Sequence, residues 1–586
     1  MERDDFEINF LKKIYFKIIS LPFYSFFLKL TFRSGLNDEM MKIHPGRKRS
    51  VKQEKGKREN VHCEAKLNII SLQQKYTSKR TLCPKGDKNR KANWIKRSEV
   101  VSLRDKFNHM KRRTFLQRMG YAVPAALALP ALFPSCTEDD DDGISRVKRY
   151  SKYKVFVLGA GAAGLYTAWY LNERGFDVTV LEASDHIGGR IRHLSGFADF
   201  DLELGAEEIH GNNSEWYRII QQTGAELITE DATEDFYFFK QDPLNPAEPH
   251  LKNEAQAANY NEFVKSMNFI DNAYNYSGPD KTVEQHLAAS DVSWNLFGVV
   301  NGMVGNEHGT SNNRLSIRGL AEEDAQWTAG DDSYALKNRS MLSILETKFA
   351  PVLGKVKKGI QVKTIDYEGE KVRLTDQLGK IWEADRVIVT VPLSILQAGD
   401  IAFNPGLPST KRDAIENIGM GAGIKAVFKF SQAFWKTPLA PNLGSIIGYN
   451  DVPEVWAANY QRGSTPVLTA LIMGEKAEQF SAQGSAATNI ILSHLDNMFG
   501  TGSIASQSLL QNGAYLMDWT KAPFIKGAFS YPIVGGGLIF RKELASPVDD
   551  RIFFAGEATH FKGHSGTVHG AIETGMRVVQ EVEDSV

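Results

Sequence analysis

The feature that most constrains this chain is a strand, a glycine-rich turn, a helix and a second strand that ends in a carboxylate. The apolar run Lys154–Leu158 leads directly into Gly159–Gly164 (GAGAAG), and an apolar-periodic stretch follows. The run Asp177–Leu181 then ends at Glu182, 23 residues after the first glycine. This order predicts two parallel strands joined by a helix, the unit that holds a dinucleotide.

The small residues of the turn have separate steric roles. Gly159 permits the tight turn, Gly161 lets the backbone approach a pyrophosphate, and Gly164 allows the helix to pack closely on the strand. Ala162–Ala163 open the helix, whose free N–H groups and positive dipole end favour phosphate. Glu182 can accept hydrogen bonds from both ribose hydroxyls, and it disfavours the 2′-phosphate of NADP. The fingerprint alone does not separate NAD from FAD.

A second block, directly after Glu182, separates the two dinucleotides. It continues from Ala183 to a pair of glycines, of which the second is Gly189, and then to Arg190. Bare backbone and a cation are thereby expected beside the same pyrophosphate. The string LEASDHIGGRIR resembles the second FAD fingerprint of the flavin-containing amine oxidase superfamily, which NAD enzymes lack.

The C-terminal end resembles the same superfamily. Arg551–Glu557 (RIFFAGE) is predicted to be a buried strand that ends in Gly556 and Glu557, and a helix is predicted to begin near Val568. In the superfamily this glutamate lies at the ribityl chain. The resemblance places Thr567 and Val568 at a helix N-terminus that faces the flavin and stabilises negative charge on its reduced ring.

Two blocks between these ends also resemble the superfamily. Val352–Ile365 resembles the strand that meets the adenine, with Val362 as the contact, and Ala384–Leu396 resembles the strand and turn that return from the FAD domain. The resemblance covers roughly residues 152–586. It implies an α/β fold, in which a Rossmann-like FAD-binding domain is joined to a discontinuous substrate-binding domain of mixed sheet and helices. We expect the FAD-binding domain at 152–230, 336–405 and 521–586, and the substrate domain at 231–335 and 406–520.

A lysine is expected beside the flavin. Gly421–Trp435 resembles the segment in which a lysine holds a water against flavin N5, and Lys425 takes that position. Burial would remove water from its ammonium, lower its pKa and suit it to proton transfer or to O2 reduction. The alternative is an ordinary strand lysine that faces solvent. Lys429 has the same strand parity, so alternation does not choose between the two.

The wall of the substrate pocket is expected to be half aromatic. Trp519 and the block around Phe529 resemble the segment beside the flavin, and Ala528 stands where monoamine oxidases have a cysteine bonded to the flavin. We therefore expect non-covalent FAD. Two tyrosines enclose the amine in monoamine oxidases, whereas the matching positions here are Phe529 and Thr567. One aromatic face can still attract a cation, although the aromatic residues could equally belong to the core.

The loop that contains Gly205 and Ala206 indicates the charge of the substrate. In L-amino acid oxidases of the superfamily an arginine at the position of Glu208 binds the substrate carboxylate. An acid there would repel a carboxylate and attract an ammonium, unless a neighbouring base neutralises it. The position of His210 is an acid in polyamine oxidases, so polyamine specificity does not follow.

We therefore expect an FAD-dependent amine oxidase that oxidises the C–N bond of a primary or secondary amine by hydride transfer to N5, giving an imine or aldehyde and H2O2. The expected partners are a small amine and O2, without metal or nucleic acid. The alternatives are an L-amino acid oxidase or a desaturase on the same fold, a lipid-tethered FAD-binding protein without catalysis, and a demethylase-like protein associated with nucleic acid.

The first 151 residues differ from the rest of the chain. Residues 1–109 contain 26 Lys/Arg and 12 Asp/Glu, which leaves 44 and 58 for the remainder. We interpret 1–109 as a disordered or non-native extension and 110–151 as an export signal with an acidic tether. Arg112–Arg113 precede an uncharged run, as in a twin-arginine signal, and Cys136 ends an imperfect lipobox. These features predict a periplasmic or lipid-tethered bacterial protein whose native start is Met110.

Overall fold

The computed structural model describes residues 150–229, 233–240, 250–436, 439, 441–500 and 502–586. The predicted N-terminal extension, the twin-arginine signal and Cys136 lie outside the described residues.

A parallel sheet forms around the glycine-rich turn. Lys154–Leu158 pairs in parallel with Asp177–Leu181 on one side and with Arg386–Val389 on the other. Its apolar side chains are almost fully buried, as expected for a strand covered on both faces. The strands of this sheet, in spatial order, are Val356–Lys357, Asp177–Leu181, Lys154–Leu158, Arg386–Val389 and Ile552–Phe554. They come from three distant stretches of the chain.

A four-stranded sheet lies in the segment that was expected to meet the adenine. Its strands are, in order, Ile381–Ala384, Val372–Asp376, Val362–Asp366 and Ala402–Asn404. The block Val352–Ile365, which resembles the strand that meets the adenine, contains two strands rather than one. A helix ends at Leu353, a short strand occupies Val356–Lys357, and Gly359 turns the chain with a φ of +70° before the strand that begins at Val362. Positive φ is readily available to glycine.

The largest sheet is mixed and has seven strands. Their spatial order is Leu509–Asp518, Gly423–Phe430, Val467–Met473, Glu454–Ala457, Leu443–Ile447, Glu234–Phe238 and Leu251–Asn253. The strand Gly423–Phe430 was predicted to alternate between core and surface, but nearly all of it is buried. It is paired on both edges, and apolar residues from two clusters cover its faces.

Shorter pairings form three small separate sheets in the described part of the chain. These are His193–Leu194 with Leu202–Glu203, Ile418–Met420 with Ser530–Pro532, and Ser333–Leu336 with Ile209–His210 and Leu227–Thr229. The α/β class with a parallel sheet and a separate mixed sheet is therefore confirmed.

Helices cover both large sheets. Those of eight residues or more are Ala162–Glu173, Glu215–Gln222, Asn261–Tyr274, Ile317–Asp324, Met341–Lys348, Ser409–Glu416, Gly474–Ala482, Ala487–Phe499, Leu538–Ala545 and Val568–Asp584. Shorter ones are Glu254–Ala257, Val283–Leu287, Phe297–Val300, Ala350–Leu353, Leu393–Gln397 and Ile504–Ser508. Within the described ranges, none of the helices combines the length and the apolar character that crossing a bilayer requires.

Candidate active site

The glycine-rich turn is closed to larger residues at two positions. Gly159 has a φ of +105°, and a Cβ there would lie 2.9 Å from Thr390 Oγ1. A Cβ on Gly164 would lie 2.0 Å from the carbonyl oxygen of Gly159, so the helix Ala162–Glu173 can approach the strand only with glycine there. Gly161 is the N-cap of that helix, whose first N–H groups are therefore available to a phosphate.

Glu182 is oriented by hydrogen bonds from its surroundings. Its Oε2 accepts from the N–H of Ala160 at 2.7 Å, and its Oε1 accepts from the N–H and hydroxyl of Ser184 at 2.8 and 2.7 Å. The side chain is nearly buried at the end of its strand. These contacts hold the carboxylate at the mouth of the turn, where a ribose would meet it.

The second fingerprint lies against the first. Gly161 and Gly188 form a parallel bridge, and Gly189 lies beside Gly161. Arg190, expected beside the pyrophosphate, donates from Nη1 to Glu557 Oε1 at 2.8 Å and to the carbonyl of Ala528 at 2.7 Å. The arginine thus connects the second fingerprint to the C-terminal block.

The C-terminal block supplies a buried carboxylate and a helix N-terminus. Glu557 also accepts hydrogen bonds from the Ser530 hydroxyl at 2.6 Å and the Gly566 N–H at 2.9 Å. Burial alone would raise the pKa of Glu557, but Arg190 and the Ser530 hydroxyl hold it below its ordinary value. The final helix begins at Val568, as predicted, and Thr567 caps it by accepting from Gly570 N–H at 2.9 Å.

One cavity of about 930 Å³ joins these elements to the predicted substrate end. The predicted site residues that line it are Gly159, Gly161, Ala162, Ala163, Glu182, Ala183, Gly189, Arg190, Gly205, Ala206, Glu208, His210, Val362, Lys425, Trp519, Phe529, Gly556, Glu557, Thr567 and Val568. Gly164 packs behind the turn, and the predicted lipid anchor Cys136 lies outside the described residues.

Lys425 and Lys429 lie in different surroundings in the structure. Lys425 is 2% exposed and lines the cavity. Its Nζ donates to Glu207 Oε2 at 2.6 Å and to the carbonyl of Gly205 at 3.2 Å. Lys429 donates to the carbonyl of Phe197 at 2.7 Å, away from the cavity. The alternative of a solvent-facing lysine at position 425 is therefore wrong.

Aromatic and acidic side chains line the predicted substrate end of the cavity. The ring of Phe529 packs against Gly309 and Gly566, where a Cβ would come within 3.0 Å of it. Trp519 is buried and donates from its indole to the carbonyl of Leu204 at 2.8 Å.

Glu208 is about half exposed on the same cavity, 3.4 Å from Nδ1 of His210, and it accepts a hydrogen bond from Ser333. One neighbouring base is thus a histidine, which is charged only when it is protonated.

Sequence reasoning missed other residues that line the cavity. From the first insertion come Glu307, Asp324, Trp327, Asp331 and Asp332, and from the loop and the second insertion come Glu207, Trp456 and Arg462. The acidic string 322–332 (EEDAQWTAGDD) was a visible signal. Arg462 lies in no recognisable motif.

A cluster of His560, His564 and Glu573 has the spacing of a metal site. However, His560 Nδ1 accepts from the N–H of His564 at 3.0 Å, and His564 Nε2 accepts from the N–H of Thr328 at 3.1 Å. The opposite ring nitrogens, 2.9 and 2.7 Å from Glu573 Oε2, therefore carry hydrogen and have no lone pair for a metal. We assign the cluster to hydrogen bonding at the entry to the final helix.

Comparison with known proteins identifies the family of this chain. The family model for flavin containing amine oxidoreductases matches residues 162–583. Probable polyamine oxidase 4 of Arabidopsis thaliana is 26% identical over 468 residues, which cover 73% of this chain and 86% of that protein. Lysine-specific histone demethylase 2 of Homo sapiens is 26% identical over 480 residues, covering 74% of this chain and 54% of that protein.

Coverage differs among the relatives, and solved structures share the fold. Lysine-specific histone demethylase 1 homolog 3 of Arabidopsis thaliana is 26% identical over 506 residues, but only 30% of its length is covered. A solved structure of wild-type putrescine oxidase bound to putrescine aligns with a TM-score of 0.58 and 20% identity, over 74% of this chain and 99% of the other. The family match spans well over half of the sequence, so the chain belongs to the flavin-containing amine oxidoreductase family.

Proposed function

We propose that this protein oxidises the C–N bond of a primary or secondary amine and that O2 is its electron acceptor. The observation that carries the proposal is the continuity of one cavity from the dinucleotide turn to an end lined by carboxylates. An ammonium-bearing substrate is attracted to such an end, whereas a carboxylate is repelled by it.

FAD is the cofactor that these residues fit. The glycine-rich turn has room for backbone contact with a pyrophosphate, Glu182 is held beside the turn and could accept from a ribose, and the helix at Val568 offers its N-terminus. When bound, FAD accepts the hydride that leaves the carbon next to the nitrogen. Ala528 has no thiol, so attachment is non-covalent.

The protein's own residues orient the amine and exclude water. The ring of Phe529, fixed between Gly309 and Gly566, gives a flat apolar face against which a neutral amine or its alkyl chain can pack. Glu208 and the acidic residues of the first insertion favour a cationic group at the far end of the substrate. Lys425 supplies a buried cation on the cavity wall.

A peroxide-coupled screen of the purified full chain tests this function. The panel contains monoamines, diamines, polyamines, aromatic amines and L-amino acids. We expect H2O2 with at least one amine and little with amino acids. A preference for amino acids would replace the amine oxidase by the amino-acid oxidase alternative, and a flavin that no substrate reduces would favour the non-catalytic alternative.

We also propose export. Support comes from the sequence alone: the paired Arg112–Arg113, the uncharged run after them, and Cys136. In a bacterium with twin-arginine export, replacing both arginines by lysine should retain the protein in the cytoplasm, and Cys136→Ala should release it from membranes. Unchanged fractionation in both variants would contradict the proposal.

A further inference from the structure

One carboxylate on the cavity wall is shared by two buried cations. Glu207 Oε2 accepts from Lys425 Nζ at 2.6 Å, and Glu207 Oε1 accepts from Arg462 Nη1 at 2.7 Å. The three side chains are 15%, 3% and 7% exposed, respectively. Hydrogen bonds between ionised groups are short and strong in such surroundings. The two cations are therefore held by a common anion.

Three separate parts of the fold bring these groups together. Glu207 follows Gly205, where a Cβ would lie 1.8 Å from the carbonyl of Arg190, so the loop is held close to the second fingerprint. Lys425 is on the second strand from one edge of the mixed sheet, and Arg462 is in the turn between two other strands of that sheet. The cluster thus joins the FAD-binding part of the cavity to the substrate domain.

The charges of the cluster do not cancel. Burial would raise the pKa of Glu207, but Lys425 and Arg462 outweigh it and hold the pKa at about 2. Glu203, four residues earlier, has its pKa raised to about 8 by burial, so it is mostly neutral at pH 7. Counted by formal charge, the two cations and one anion of the cluster sum to +1.

Buried ion clusters can be purely structural, but here the cluster faces the cofactor cavity. Glu207, Lys425 and Arg462 all line the cavity, together with Trp456, whose ring centre is 5.0 Å from Lys425 Nζ. Lys429, on the same strand, is bound to a backbone carbonyl outside the cavity. Of the two lysines, Lys425 is the one that lines the cavity, and it is the one paired with Glu207.

We propose that Glu207, anchored by Arg462, is a positioning residue that fixes the Lys425 ammonium on the cofactor cavity. This inference rests on the proposed function, because it requires that Lys425 act on a flavin bound in the cavity. Held by Glu207 and by the carbonyl of Gly205, Lys425 serves as a positioned cation for O2 reduction.

A double-mutant cycle on flavin reoxidation tests the proposal. The holoprotein is photoreduced without amine and mixed with O2, so the readout does not depend on the substrate. The variants are Glu207→Gln, Glu207→Asp, Lys425→Met and the Glu207→Gln/Lys425→Met double variant. Lys429→Met is the matched control and should reoxidise at the wild-type rate.

If Glu207 acts through Lys425, Glu207→Gln slows reoxidation about tenfold, as loss of a charged hydrogen bond implies. The same change then has less than about a twofold effect in the Lys425→Met background. Glu207→Asp, which keeps the charge, recovers part of the rate. An equal effect of Glu207→Gln in both backgrounds, or none in the wild type, overturns the proposal.

Unfolding of the apoprotein gives a second readout that needs no flavin. Glu207→Gln should lower the thermal midpoint more in the wild type than in the Lys425→Met background, because it leaves two buried cations without their anion. Equal losses overturn the pairing. If Glu207→Gln does not fold, Arg462→Met takes its place in both cycles. Failure of every amine to reduce the flavin would contradict the proposed function, while the reoxidation cycle would still decide the role of Glu207.

Discussion

The carboxyl group of Glu203 is buried, and its two oxygens differ in their hydrogen bonding. Its Oε1 accepts from Met341 N–H at 2.6 Å, whereas Oε2 has no hydrogen-bond partner among the described residues. Burial raises the pKa of Glu203 from 4.5 to about 8. The folded state therefore keeps a proton that the unfolded chain has already released over this range, and stability must depend on pH.

We predict that stability of the apoprotein falls as pH rises from about 4.5 to 8 because of Glu203, and that Glu203→Gln flattens this slope. The fall amounts to roughly 1.4 kcal/mol for each pH unit within that window. The carboxylate of Glu207 contributes in the opposite sense and at lower pH, between about 4.5 and 2. Urea unfolding at several pH values measures the slope, and an unchanged slope in the variant would contradict the burial argument.

We predict that Glu208 acts on the substrate rather than on the cofactor. Because it is about half exposed, its attraction for a distant ammonium is worth roughly 0.2–1 kcal/mol. Glu208→Gln should therefore raise KM about threefold for a diamine and leave KM for a monoamine nearly unchanged. Steady-state assays at two salt concentrations check this. Equal changes for both substrates would assign Glu208 a structural role.

At the scale of elements, the strand–turn–helix unit was predictable because its determinants are local. Gly159, Gly161 and Gly164 act within six residues, and the structure gives Gly159 and Gly164 a steric reason and makes Gly161 the N-cap of the helix. The block Val352–Ile365 contains two strands because Gly359, with a positive φ, turns the chain between them. The Glu207–Arg462 pair joins residues 255 positions apart, and no sequence spacing indicates such a contact.

Gly164→Ala tests the packing of helix on strand. The added Cβ would lie 2.0 Å from the carbonyl of Gly159, so the helix must move away from the turn. We predict protein that purifies with little FAD and binds added FAD at least about tenfold more weakly, as for a loss of roughly 1.4 kcal/mol. Gly354→Ala is the control, since a Cβ there meets nothing within 4 Å. Equal flavin content in both variants would contradict the role given to Gly164.

At the scale of the molecule, two chain insertions build one mixed sheet while three other stretches build the parallel sheet. The cavity lies where residues from all of these segments meet. Resemblance to a family could indicate which residues face it, such as Lys425 and Phe529. It could not indicate which partners they have, because Glu207, Arg462 and Gly309 come from other parts of the chain. The domain boundaries stay predictions.

The most direct test of the account is anaerobic mixing of the purified holoprotein with amines while the flavin absorbance is followed. We predict that the oxidised flavin spectrum bleaches with at least one amine and returns when O2 is admitted. A protein that stays colourless after incubation with FAD, or a bound flavin that no amine reduces, would contradict the central claim that this cavity places an amine beside FAD.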